Sequence, residues 1–80
     1  SMVEQIIQTL YDNIEELEGE VIEADTKLIV GGYINSFDII NLLGALEREF
    51  DIDIPLDNLN LDDFATPRSI SAFMSKLTSA

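Results

Sequence analysis

Three stretches of this chain repeat their apolar residues at the 3.6-residue period of an α-helix, and no other segment is regular enough to organise a core. Ile39, Leu42, Leu43, Leu46 and Phe50 stand at i, i+3, i+4, i+7 and i+11, which gathers them on one face at about 100° per residue. Val3, Ile6, Ile7, Leu10, Tyr11, Ile14 and Leu17 keep the same period over about four turns. Ile70, Phe73, Met74 and Leu77 form a third stripe. Three helices with one apolar face each can hide those faces only against one another, so the expected fold is all-α, a small bundle.

The boundaries follow from capping chemistry. Ser36 stands just ahead of the middle stripe, where its hydroxyl can accept from an unpaired N–H of the first turn, and is expected as the N-cap. Asp51-Ile52-Asp53-Ile54-Pro55 should end that helix, because Pro55 has no N–H and pushes Ile54 out of helical geometry. The helix is therefore expected from Ser36 to Phe50. Gly19 is placed to end the first helix in a left-handed cap. Thr66-Pro67, a capping hydroxyl followed by proline at the first helical position, should start the last one, which runs to Thr78. Its Ser69, Ser71, Ser75 and Lys76 are expected to face water.

Leu56, Leu59 and Phe64 suit one or two short turns, giving three main helices plus a short one. Glu18 to Asn35 has no sustained helical period and is expected to be a long ordered loop between the first two helices, anchored by Val21, Ile22, Leu28, Ile29 and Val30. Leu28-Ile29-Val30 has no second strand to pair with.

The chain's 80 residues make a single domain, residues 1–80, in which Ser1 ahead of Met2 is expected to be a tag remnant without a role. It contains no cysteine and no histidine, which removes disulfides, cysteine metal sites and the commonest acid–base residue. The formal charge of −12 repels nucleic acid and anionic membrane surfaces and favours basic partners. No apolar stretch approaches the roughly 20 residues that span a bilayer, and no signal peptide is evident, so a cytoplasmic protein without membrane insertion is expected. Asp51, Asp53, Asp57 and Asp62 do not make an EF-hand, since Leu56 falls where glycine is needed and Asp62 where glutamate is usual. No metal ligand set is assigned.

Ser36 is the one candidate for chemistry. The G-x-S-x-G elbow is absent and there is no histidine base, so a hydrolase nucleophile is disfavoured. A group attached to its oxygen by another enzyme is a different matter. A phosphodiester there would sit beside the free N–H groups and positive dipole end of the helix, worth about 0.3–1 kcal/mol to an exposed anion.

Gly32-Tyr33-Ile34-Asn35-Ser36-Phe37 resembles the G-x-x-D-S-[LF] segment of the acyl and peptidyl carrier proteins. The resemblance continues through Ala45-Leu46-Glu47, Glu49-Phe50-Asp51, Ile54-Pro55 and Thr66-Pro67 with Ile70, over nearly the whole chain. It implies a non-catalytic carrier whose cofactor is 4′-phosphopantetheine, attached from coenzyme A to Ser36, with an acyl or aminoacyl group held on its thiol. It also implies three kinds of partner: a phosphopantetheinyl transferase, a ligase that loads the thiol, and a downstream acyltransferase or synthase. A monomer is expected. The family usually has aspartate before the serine, where this chain has Asn35, which bears on recognition by the transferase. The alternative is an unmodified acidic interaction module that kept the fold and lost the arm.

With Ile39, Leu43, Leu46 and Phe50 turned inward, Phe37, Asn41, Gly44 and Arg48 turn outward. Phe37 is then an exposed aromatic beside the serine, suited to docking. Gly44 costs about 1 kcal/mol relative to alanine in a helix, consistent with close approach of a partner. Asp38, Glu47 and Glu49 flank this stripe and correspond to positions where carriers meet basic patches. Arg48 and Asn41 interrupt the acidic field common in fatty-acid carriers. Together with Phe37 after the serine, the surface is closer to D-alanyl and other stand-alone aminoacyl carriers.

Overall fold

The computed structural model describes residues 1–79. Its helices are α1 (Met2–Asn13), α2 (Ser36–Phe50) and α3 (Pro67–Thr78), with short 3-10 turns at Glu15–Leu17 and Leu61–Phe64 and no strand among the described residues. The all-α bundle is formed as expected, the short element being the 3-10 turn Leu61–Phe64. α1 packs against both other helices. The shared core contains Ile6 and Leu10 of α1, Leu42 and Leu46 of α2, Ile70 and Met74 of α3, and Phe64, whose ring lies 5.4 Å from that of Phe73.

α2 has the expected bounds and buries the expected face, though Phe50 only partly. It ends for another reason than Pro55. Asp51 adopts a left-handed conformation (φ 53°, ψ 53°) and its N–H closes on the Glu47 carbonyl, so the helix stops well before the proline.

α1 is shorter than its periodicity suggests. Ile14 is extended (φ −123°, ψ 100°), and a 3-10 turn then carries Leu17 back to the core, so both side chains are buried. Gly19 is left-handed (φ +83°), but it follows that turn and does not cap α1. Ser1 is not idle either. Its hydroxyl accepts from the Glu4 N–H at 3.3 Å and its amino group donates to Glu4 Oε1 at 3.0 Å, a capping box on α1.

Residues 18–35 form the expected ordered loop, but only part of its apolar set anchors it. Ile22 and Leu28 are buried and Ile29 partly so, whereas Val21 and Val30 stand in solvent, Val30 at 90% exposure. Polar bonds supply the rest of the anchoring. The Tyr11 hydroxyl donates to Glu20 O at 2.6 Å and accepts from Ile22 N at 2.9 Å. Leu28 N donates to Ala65 O at 2.8 Å, and Arg68 N to Ala24 O at 2.9 Å. Arg68 also forks onto the Asp25 carboxylate at 2.8 and 3.1 Å. Each bond satisfies a loop backbone or side-chain group that would otherwise compete for water.

The segment that enters α2 is closed on itself. Leu28 O accepts from both Tyr33 N and Ile34 N, and Lys27 O accepts from Gly31 N at 2.9 Å. A Cβ at position 31 would collide with that same Lys27 oxygen, which is why glycine stands there. Gly32 (φ +80°) then turns the chain toward buried Ile34.

At α3, Thr66 caps and Pro67 opens the helix as expected. Ser69 does not face water. It is half-buried, its N–H donating to Thr66 Oγ1 at 3.0 Å and its hydroxyl to Asp63 O at 2.9 Å. Leu56 is exposed and makes no part of the core, leaving Phe64 and, partly, Leu59 to seat that segment.

Candidate functional site

The cap of α2 is Asn35, one residue earlier than expected. Asn35 Oδ1 accepts from Asp38 N at 2.9 Å, and Asp38 Oδ2 accepts from Asn35 N at 2.9 Å. This reciprocal box satisfies one donor of the first turn and fixes the entry of the chain. Ser36 is thereby the first residue of the helix rather than its cap. Its side chain is exposed, and its hydroxyl has no hydrogen-bond partner among the described residues. The N–H groups of Ser36 and Phe37 likewise meet no acceptor there, as expected for the first positions of a helix. An anion on Ser36 Oγ would therefore find two free donors and the positive end of the helix beside it. The residues present fit a phosphodiester on that oxygen.

Beyond Ser36 the outer face of α2 is partly as expected. Phe37 is 82% exposed and does not fold onto the Tyr33-Ile34 loop. Gly44 is half-buried and Arg48 exposed. Arg48 has no ion pair among the described residues, and its guanidinium lies 3.4 Å from where a Cβ on Gly44 would be.

Two expected surface residues serve the fold as well. Asn41 is exposed, yet its side-chain amide donates to Asn13 O at 2.7 Å, closing the broken end of α1. Glu47 is half-buried and its Oε2 accepts from Ile54 N at 2.9 Å, tying the segment after α2 back to the helix. Asp38 is half-buried and occupied in the capping box. Sequence reasoning missed Ile40, which is 68% exposed and lies one turn from Phe37. Its position 40° around the helix from Ser36, away from the buried arc, was the signal for it.

The ionic groups with displaced titration lie elsewhere. Hydrogen bonding to Arg68, with its charge adding to the effect, holds the Asp25 carboxyl below the usual range, and Asp25 in turn raises Arg68. Hydrogen bonds from the α-amino group and from Ser1 lower Glu4. A polar groove of about 270 Å³ between α1 and α2, lined by Gln8, Asp12, Arg48 and Glu49 among others, reaches no residue of the Ser36 turn. Among the described residues no three acidic side chains come together as ligands for a metal ion. No described helix is long and apolar enough to cross a membrane.

The family described as "Phosphopantetheine attachment site" matches residues 5–74. The chain belongs to that family. It is a carrier domain, non-catalytic in itself, and its cofactor is covalently attached 4′-phosphopantetheine. The carrier is 31% identical over 67 residues to the D-alanyl carrier protein of Listeria welshimeri, covering 84% of this chain and 85% of that one. It is 30% identical over 73 residues to the D-alanyl carrier protein of Staphylococcus saprophyticus, covering 82% and 94%. A third D-alanyl carrier protein, from Lactobacillus acidophilus, is 29% identical over 72 residues, covering 88% and 91%.

Proposed function

We propose that residues 1–80 are one carrier domain that holds an aminoacyl group of the D-alanyl type on an arm attached at Ser36. The observation that carries the reading is the free Ser36 hydroxyl at the head of α2, released from capping by Asn35 and flanked by unpaired N–H groups. Modification would form the bond from Ser36 Oγ to phosphorus as the diphosphate of coenzyme A breaks. Adenosine 3′,5′-bisphosphate leaves, and the serine proton passes to the transferase. The group supplies a terminal thiol on which cargo is held as a thioester. With no cysteine in the chain, that thiol is the only one present.

The partners are a phosphopantetheinyl transferase, an aminoacyl-loading ligase and a downstream acyltransferase, met in the cytoplasm by a monomeric carrier. Asn35, Phe37, Asp38, Asn41, Gly44, Glu47 and Arg48 make the recognition face, joined by Ile40. Exposed Phe37 and Ile40 give it an apolar centre, and the acidic residues around them suit a basic rim on the partner. The D-alanyl relatives support the aminoacyl cargo.

The test is intact mass after incubation with coenzyme A, magnesium and a broad-specificity phosphopantetheinyl transferase, with Ser36→Ala alongside. The wild type should gain one phosphopantetheinyl group and the variant none. The product, offered D-alanine or a fatty acid with ATP and matching adenylating ligases, should load D-alanine. No gain of mass by a folded wild-type chain would favour the unmodified interaction module instead.

A further inference from the structure

We propose that the exposed row Ser36, Ile40, Gly44, Arg48 on α2 is a resting track for the carrier's own phosphopantetheine arm, with Ile40 and Arg48 as its two contact points. The proposal rests on attachment at Ser36 and assigns to the arm a surface that partner docking alone does not explain.

Residues four apart on a helix are neighbours on its surface, and each step advances about 6 Å along the axis while turning about 40°. The row therefore runs from the attachment oxygen along the solvent side of α2 as a continuous strip. Its chemistry changes in order. Ile40 offers a 68% exposed apolar side chain about 6 Å from Ser36. Gly44, about 12 Å away, has no side chain to block the strip. Arg48 does not project straight outward. Helical side chains lean toward the N-terminus, and its Nη1 lies 3.4 Å from the Cβ position of Gly44, so the guanidinium sits over the glycine turn. It has no carboxylate partner among the described residues despite the charge of −12, which leaves its donors free.

The arm has the same order of groups. Extended from phosphorus to sulfur it has about 13 bonds that each advance about 1.2 Å, or roughly 16 Å. Its geminal methyl groups come about 4 Å from phosphorus, near the distance of Ile40, and its second amide carbonyl about 11 Å, near the distance of the guanidinium. Methyl groups facing an exposed isoleucine and a carbonyl accepting from an arginine fork are complementary contacts. The glycine is thus explained as clearance.

The experiment uses the modified full chain, its mass gain verified first, and compares its isotope-labelled NMR spectra with those of the unmodified chain. Chemical-shift changes are expected to extend from Ser36 through the Ile40 methyls, the Gly44 amide and the Arg48 Nε–H. Cross-relaxation between the arm's methyl protons and Ile40 should be present, and lost in Ile40→Ser. Arg48→Gln should keep the helix but free the outer arm, raising the rate at which a neutral aromatic disulfide reacts with the thiol about two- to threefold. Changes that stop at Asp38, with arm resonances as sharp as those of free pantetheine, would overturn the track while leaving attachment intact. So would arm contacts confined to the groove between α1 and α2. A folded chain that gains no mass would instead overturn attachment at Ser36, and the track with it.

Discussion

The carboxylate of Glu47 accepts the backbone N–H of Ile54 at 2.9 Å, so a residue on the proposed recognition face of α2 also holds the segment that leaves the helix. That segment places buried Ile54 in the core and carries the chain toward Phe64. Glu47→Ala should therefore destabilise the fold by about 1–3 kcal/mol, the cost of leaving a partly buried donor unpaired. Glu47→Gln retains an oxygen acceptor and should lose less. Urea unfolding of the three proteins checks this. Equal stability for all three would leave Glu47 with recognition alone.

Because Asn35 rather than Ser36 caps α2, the two positions separate stability from modification. Asn35→Ala should cost about 1 kcal/mol through loss of the cap. Ser36→Ala should leave stability within about 0.5 kcal/mol and abolish mass gain with coenzyme A and transferase. Asn35→Asp keeps a capping oxygen and should fold at least as stably. Parallel denaturation and intact-mass measurements distinguish these outcomes. A Ser36→Ala variant as unstable as Asn35→Ala would contradict the assignment of the cap.

Phe37 and Leu46 report on the two faces of α2. Leu46 is fully buried, and Leu46→Ala should cost about 2–5 kcal/mol by opening a cavity. Phe37→Ala should change stability by less than about 0.5 kcal/mol while slowing modification or loading. Unfolding midpoints and transfer rates, read on the same samples, test the pair. Similar unfolding shifts for both would mean that the helix is rotated from its described orientation.

The bond between Asp25 and Arg68 should make the loop's tether acid-sensitive. The Asp25 carboxyl is held below its ordinary range, so the tether is complete above about pH 4, the unfolded aspartate value, and is lost as pH falls through the lower folded value. The pair is exposed, so salt should weaken it. NMR titration should move the Arg68 Nε–H and the Leu28 amide together, with a midpoint below that of a free aspartate. Asp25→Asn should abolish the step. A midpoint at or above the free value would show that the pair does not persist in solution.

The helices were legible because a 3.6-residue stripe is a property of sequence, and Phe37, Leu46, Ile70 and Met74 lie where that period puts them. The cap was not, since asparagine and serine cap almost equally well and stand side by side at positions 35 and 36. Asn41 and Glu47 were read as surface because their partners, the carbonyl of Asn13 and the N–H of Ile54, are brought to them only by the folded chain. Val21 and Val30 looked like anchors for a similar reason. In a loop without a period, being apolar does not say which way a side chain points.

The loop that leads into Ser36 is fastened to the far end of the sequence. Asp25 and Arg68 are 43 residues apart, and the bonds of Leu28 and Ala24 to Ala65 and Arg68 span similar separations. The packing of α1 on α3 spans still greater separations, as between Met2 and Ser75, 73 residues apart, so bundle and loop share the entropy cost of bringing the two ends of the chain together. What distinguishes the loop is its tether, an exposed ion pair, whereas α1 and α3 meet through buried side chains. The entry to the serine is thus held in place by residues from the far end of the sequence.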